Sequence, residues 1–368
     1  MRKIFLLFCL LFLFSFSVKA QEYENIYEYS GAKKIENSLE ENAKSFFEEE
    51  GISIDDPDWI DNLSTEGVFS HIWKVIKSGA KAPIKSGAFV IAIILIAAAF
   101  KIYQKNNAAD IALKFAITLS VFGVLAASIA SSIGSAVDFI KGSSTFMLSF
   151  IPIYMGIVSV SGAPASAAAN SAMLLFSAEF ISGAVAFFQS SVLGAYLALC
   201  VSSAVSPFMN KSGLAEAFKK TGIWVMSLCS TVFLGLLGAK SAVSSAADGV
   251  GLKTAKYILG TCVPVAGQAL SGAVNTVSAS FSVIKASVGI YGITALAVML
   301  LPILIELLVW RLVLLITGGI CSLFSVDEAS KLLKALDGVL SLLIGAVLTV
   351  GATFIISLSV VISAGKGI

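Results

Sequence analysis

The hydrophobic pattern of the chain is a series of apolar runs close to the length that crosses a bilayer, separated by short polar breaks. The runs fall at residues 87–103, 115–137, 144–160, 222–239 and 338–364, with a small-residue-rich tract at 165–208 and a block at 287–325. A hydrocarbon core about 30 Å thick takes ~20 helical residues, so each run predicts a spanning helix. The 165–208 tract is long enough for two, with a break near Gln189. The 287–325 block is too long for one crossing and predicts a hairpin or a bend at Pro302. Since only a backbone that satisfies its own hydrogen bonds can sit in lipid, the expected fold is an all-α polytopic membrane protein of seven to eight transmembrane helices.

What precedes the first run has a different character. MRKIFLLFCLLFLFSFSVKAQ opens with Arg2 and Lys3, continues as an apolar core over residues 4–18, and offers Val18 and Ala20 before Gln21. That is the pattern of a cleavable secretory signal over residues 1–20. Residues 21–86 then form an exported stem. Its first part, 21–66, carries 14 acidic side chains against Lys33, Lys34 and Lys44, with Leu39, Ala43, Phe46 and Phe47 at helical spacing. This predicts a short acidic helical region, either a tethered spacer or a docking element. Its end, HIWKVIKSGAKAPIKSG, sets Lys74, Lys77, Lys81 and Lys85 among apolar residues in the manner of an interfacial amphipathic helix. The polytopic domain is 87–368. The polar connections KNNAAD and PFMNKSGLAEAFKKTG carry a positive excess that suits the cytoplasmic side.

Composition supports the membrane reading and removes several chemistries. Hydrophobic residues make up 57% of the chain, the mean hydropathy is +0.92, and only 13% of residues are charged, against about 25% for a soluble protein. Cys9 lies in the signal, and Cys200, Cys229, Cys262 and Cys321 lie in apolar segments, so no disulfide framework is expected outside the membrane. His71 is the single histidine and has no cysteine or histidine nearby, which argues against a metal site. No P-loop, H-E-x-x-H, G-x-S-x-G or Ser-His-Asp set is present. No cofactor is expected, and an enzyme is not.

Two segments share an order of features. SAVDFIKGSSTFMLSFIPIY holds Asp138 and Pro152, and SAADGVGLKTAKYILGTCVPVA holds Asp248, Gly249, Gly251 and Pro264. Each follows an apolar run and precedes a small-residue tract, the pattern of an internal repeat. Interrupted segments at matching places of a repeat mark the functional region in transporter-like folds. The second segment, over 248–270, is accordingly expected to be a re-entrant or broken element, with these residues as candidate gate positions. Three charges fall inside apolar runs: Glu179, Glu306 and Arg311. An intramembrane charge costs about 2.5–3.5 kcal/mol at mid-bilayer, so Arg311 is expected to pair with Glu306 or with Glu179, or to snorkel to an interface, and these charges either fix helix register or serve as an ion or proton relay.

The stretches FIPIYMGIVSVSGAPASAAANSAMLL, SAVSSAADGVGLKTAKYILGTCVPVAGQALSGAV and LLPILIELLVWRLVL resemble the stage III sporulation protein AE family, over roughly residues 87–364. The resemblance implies a polytopic membrane protein with a cleaved signal peptide, in the mother-cell membrane that engulfs the forespore. It implies a non-enzymatic, permease-like or export-gate-like subunit of a channel or secretion-like complex. The implied partners are other stage III sporulation A proteins, including an ATPase and ring-forming subunits, and indirectly a forespore protein called Q. No catalytic residue is carried over. The residues by themselves leave open an autonomous secondary transporter of a small solute, or a scaffold for ring assembly.

Overall fold

A backbone out of reach of water has few ways to satisfy its amides, and the described part of this chain uses the helical one almost throughout. A computed structural model describes residues 33–54, 56, 59–103, 107–187, 212–262 and 267–364, and among these there is no strand. Among the described residues three short helices come first: α1 (Lys33–Asn37), α2 (Glu41–Glu49) and α3 (Trp59–Asn62). Six long ones follow: α4 (Thr65–Tyr103), α5 (Asn107–Val160), α6 (Pro164–Phe187), α7 (Ser212–Cys262), α8 (Gly267–Leu323) and α9 (Asp327–Ala364). Among the described residues, α4, α5, α7, α8 and α9 are long and apolar enough to cross a membrane.

Several expected breaks are helix instead. The runs 115–137 and 144–160 belong to the single 54-residue α5, because SAVDFIKGSS contains one isolated glycine and no proline. Pro152 and Pro302 sit inside α5 and α8, and neither ends its helix. Residues 245–262 are also helical within α7, which corrects the expected interruption at Asp248, Gly249 and Gly251. A single helical glycine costs only about 1 kcal/mol, and the neighbouring Ala, Leu and Lys residues are good helix formers. Pro264 lies outside the described residues, as do Gln189 and the second half of the 165–208 tract.

The two tight turns between long helices among the described residues have local causes. At the end of α5, Gly162 takes φ +97°, and the Ala163 amide reaches back to the Val158 carbonyl at 3.2 Å. This is a left-handed glycine stop, and Pro164 then opens α6 where a missing N–H does no harm. Between α8 and α9, Ser325 takes φ +54° and the Val326 amide donates to the Cys321 carbonyl at 2.9 Å. Asp327 and Glu328 follow in the first turn of α9, where the helix dipole favours them.

The six long helices form a ring in the order α4, α5, α6, α7, α9, α8, with α5 also packed against α8 and α9 across the middle. This places α4 and α7 on opposite sides. Between helices in lipid the hydrophobic effect gives no drive, so close contact at small residues decides the packing. Phe146, Phe150 and Tyr154 stack along α5 at centroid spacings of 5.4 and 5.3 Å. They meet Gly289 and Gly292 on α8, where a Cβ would come within 3.0 Å of the Tyr154 hydroxyl and 2.5 Å of Phe150. The α8–α9 hairpin keeps one register from end to end, with Gly289 against Ile362, Leu300 against Gly351 and Gly318 against Leu333. Helix α4 runs parallel to α8, with Gly79 on the Glu306 backbone and Gly87 on Val313. Helix α7 runs parallel to α9, with Ile223 against Gly345 and the Ser230 and Thr353 hydroxyls 3.0 Å apart. Gly79, Glu306, Gly345 and Ile223 therefore share one height along the bundle.

The acidic stem is docked on its own bundle. Phe47 lies 4.6 Å from Tyr291, Phe46 lies 4.7 Å from His71, and the Trp59 Nε1 donates to Ser287 Oγ at 3.1 Å. Leu39, Ala43, Phe46 and Phe47, the residues at helical spacing, are all buried. The same end of the bundle carries the α7–α8 hairpin. Gly289 is level with Tyr154 and Ile362, close to the ends of α5 and α9, so the first twenty or so residues of α8 project about 30 Å past them at ~1.5 Å per residue. We call this the stem end and the opposite one, at residues 323–327, the turn end.

Glu40 gives the docking a pH dependence. It lies against Gly142 of α5, and burial, followed by repulsion from the Asp138 carboxylate, pushes its carboxyl up from 4.5 to about 7. A carboxyl raised in the folded state favours the docked stem while protonated, so its contribution is complete below pH 4.5 and is lost as pH rises through 7. Hydrogen exchange over residues 33–62, corrected for intrinsic rate, should therefore be slower at pH 5.5 than at pH 8. Glu40→Gln should remove the difference, and an unchanged pH dependence in that variant would show that another group is responsible.

Candidate functional site

The sequence singles out Asp248, and the structure gives it a definite task. The first amides of a helix have no partner within the helix, and α6 begins beside α7 instead of in open solvent. The Asp248 carboxylate accepts from the Ala165 amide through Oδ1 and from the Ser166 amide through Oδ2, each at 2.8 Å. A residue of another helix thus caps α6, with a full negative charge at the positive end of its dipole. The contact continues as a polar seam along the antiparallel α6–α7 pair. Ser166 Oγ lies 3.4 Å from the hydroxyls of Ser244 and Ser245, and Ser241 Oγ donates to Asn170 Oδ1 at 2.9 Å. Asn170, Ser166, Ser241 and Ser244 are buried. The small residues of ASAAAN permit this approach, and the hydroxyls give it direction.

The matching segment on α5 is built differently. Asp138 is exposed and caps no helix; its influence falls on Glu40 of the stem. Pro152 is exposed in mid-helix. The two Ser-Ala-x-Asp motifs therefore do not occupy equivalent places, and the candidate gate residues Asp138, Pro152, Asp248, Gly249 and Gly251 do not converge on one site. Nothing is packed within 4 Å of where a Cβ would sit at Gly249 or Gly251.

The intramembrane charges find partners that hydropathy did not indicate. Arg311 pairs with Asp337 of α9, Nε to Oδ1 at 2.8 Å and Nη2 to Oδ2 at 3.4 Å. Glu306 accepts from Ser132 Oγ of α5 at 2.6 Å. The expected pairing of Arg311 with Glu306 or Glu179 is therefore corrected: the arginine reaches across the α8–α9 hairpin, where an acid is level with it, and Glu179 is exposed on α6 beside Phe176 and Phe180. Asp337, Ser132, Asn170 and Ser241 were not singled out by the sequence. Asp337 alone carried a signal, as a carboxylate at the edge of the 338–364 run. Among the described residues no group of three or more His, Cys, Asp or Glu side chains is placed to hold a metal ion.

These contacts hold helices together, and their loss should be read as stability. Losing a side-chain cap costs about 0.5–2 kcal/mol, so Asp248→Ala should lower the thermal midpoint of the solubilised protein by a few degrees. Asp138→Ala, at an exposed position without a cap, should leave it within the range of surface substitutions, about 0.5 kcal/mol. Equal effects of the two would remove the distinction drawn between them.

Comparison of the sequence with known proteins finds a family match. The family model described as Stage III sporulation protein AE covers residues 58–365. Stage III sporulation protein AE of Bacillus subtilis (strain 168) is 23% identical over 305 residues, 82% of this chain and 75% of that protein. No solved structure matches. The match starts further toward the N-terminus than the quoted stretches of sequence resemblance and takes in α3 and the whole of α4, while α1 and α2 lie outside it. With most of its length inside that match and five apolar helices of membrane-crossing length, the chain belongs to the stage III sporulation protein AE family and is a membrane protein of sporulation.

Proposed function

We propose that this chain is a non-enzymatic, permease-like or export-gate-like subunit of the channel or secretion-like complex between mother cell and forespore. It works in the mother-cell membrane around the forespore, with its stem on the intermembrane side. The observation that supports this reading is the stem end. A docked acidic cap and a projecting helical hairpin stand there together, on a bundle whose longest helices reach about 80 Å, well over twice a hydrocarbon core. Such an end offers contact area to ring-forming subunits between two membranes. An ATPase partner supplies the energy, since the chain has no P-loop.

A secondary carrier draws less support. A relay needs a carboxylate free to exchange its proton, and Glu306 is engaged by Ser132 while Arg311 is held by Asp337. A scaffold that only anchors ring assembly is favoured by the cap at Asp248, which holds the start of α6 against α7. The tagged chain, recovered from membranes of sporulating cells, should bring down the ATPase and ring-forming stage III sporulation A proteins. Purified and reconstituted alone, it should move no solute into liposomes. Uptake without partners would overturn the subunit reading in favour of a carrier. Normal forespore gene expression in cells whose variant chain assembles the rings but lacks the 245–285 hairpin would favour the scaffold.

A further inference from the structure

Exposed charges on this bundle mark where water reaches it, and they stand at different heights on different helices. Gly79, Glu306, Gly345 and Ile223 share one level, and Ser132 joins it through its bond to Glu306. Helical rise, ~1.5 Å per residue, converts positions into distances from that level. On α4 the exposed face is apolar from Phe89 to Phe100, with Lys85 before it and Lys101 next in the sequence. Those lysines stand about 9 and 33 Å toward the turn end. On α5 the exposed Phe115 and Leu119 lie between Lys114, about 27 Å turnward, and Asp138, about 9 Å stemward. On α7 the exposed Trp224, Leu228, Val232 and Leu236 lie between Lys220, about 5 Å turnward, and Lys240, about 25 Å stemward.

No membrane square to the helices fits these limits. One level with the apolar face of α7 would immerse Asp138 and the exposed Glu49–Lys74 ion pair, whose lysine is about 8 Å stemward. One level with the apolar face of α4 would immerse Asp327, Lys331 and Lys334 of α9, all exposed and about 16–27 Å turnward. Either placement leaves several charges facing hydrocarbon, where they are costly. We propose that the bilayer crosses the bundle obliquely, near the turn end on α4 and nearer the stem end on α7, and that lipid covers both apolar faces.

The borders step in order around the ring. Ser144 Oγ donates to the Ala178 carbonyl at 2.7 Å, which puts the exposed Glu179 of α6 about 16 Å stemward. The stemward border therefore climbs from Lys85 of α4 through Asp138 of α5 and Glu179 of α6 to Lys240 of α7. The turnward border climbs likewise, from Lys101 of α4 through Lys114 of α5 and Lys334 of α9 to Lys220 of α7. Two borders made of different residues thus rise by nearly the same amount, about 30 Å. Opposite helices of a six-membered ring are two spacings of ~8–10 Å apart, and their outer faces lie ~5 Å further out on each side. A climb of about 30 Å over that width is an inclination near 45°, at the steep end for membrane helices. Along the helices the belt measures about 24 Å on α4, 36 Å on α5 and 30 Å on α7. Square to a membrane so inclined that is nearer 20 Å, so its border lysines snorkel and the bilayer thins beside the bundle.

An inclined belt leaves two hydrated shoulders at diagonally opposite corners. One, on α4 and α5, carries the docked stem, and there the exposed Phe69 and Trp73 are interspersed with Glu66, Lys74 and Lys77. The other, at the start of α9, carries Asp327, Lys331 and Lys334. The stem is thus in water at heights where α7 is in lipid.

Depth measurement tests this without any partner protein and so without reference to the channel reading. Nitroxide labels would be placed singly on a cysteine-free full-length chain in phospholipid liposomes, at positions paired by level. Ser70→Cys of α4 and Val232→Cys of α7 both stand nine residues stemward, and Ala92→Cys of α4 and Lys334→Cys of α9 stand 13 and 11 residues turnward. Oxygen, which concentrates in lipid, should relax the labels at Val232 and Ala92 several-fold more than a water-soluble nickel chelate does. The order should reverse at Ser70 and Lys334. Leu228→Cys or Ile96→Cys takes the place of Val232→Cys or Ala92→Cys should either fail to insert. Like readings within either pair would mean a membrane square to the helices and would overturn the proposal. A chelate-accessible label at Val232 would overturn it in favour of a hydrated α7 face.

Discussion

A peptide N–H that water cannot reach must find an acceptor within the protein, and most of what is particular about this structure follows from that demand. Inside each helix the demand is met locally. At a helix start it is not, and there the chain has to bring an acceptor from elsewhere. The start of α6 is the clearest instance. Pro164 removes one donor, and Asp248 on the neighbouring helix accepts from the next two at 2.8 Å. One carboxylate thereby fixes both the place where α6 begins and its height against α7. Ser166, Ser241, Ser244 and Asn170 lie along the seam so defined. Where the demand is met by the turn itself, as at Gly162 and Ser325, left-handed residues close the last turn of the preceding helix.

The same constraint makes the small residues important. Apolar side chains gain nothing by leaving lipid for one another, so helices associate where backbones come close enough for dense contact. The aromatic stack on α5 fits because Gly289 and Gly292 leave room for it, and α4 lies on α8 at Gly79 and Gly87. These positions set the register of the whole bundle. The two polar contacts near its middle, Ser132 with Glu306 and Arg311 with Asp337, occur where that register brings the groups level. The charges are satisfied by the packing; they do not direct it.

This explains what the sequence made legible and what it hid. Hydropathy reports how much apolar surface a segment has, and it identified the helical class and the membrane. Helical spacing of Leu39, Ala43, Phe46 and Phe47 marked one face of α2 and the residue leading into it, and all four are buried. Neither signal contains a partner. Arg311 was offered two glutamates by proximity in sequence and by shared polarity, and its actual acid is 26 residues on, across a hairpin. The glycines around Asp248 suggested a break, yet a helix absorbs isolated glycines at about 1 kcal/mol each, and α7 runs through them. The similarity of the Asp138 and Asp248 segments was real as a pattern of letters, but the two aspartates face different neighbours.

Height along the bundle is the quantity that sequence reading left out altogether. Each apolar run was placed in one slab, as if every run of sufficient length crossed the membrane at the same height. The contacts of Gly79, Gly87 and Ile223 show instead that the runs of α4 and α7 extend in opposite directions from a common level. A helix of 51 residues is about 75 Å long, so its apolar part can lie well away from the apolar part of its neighbour.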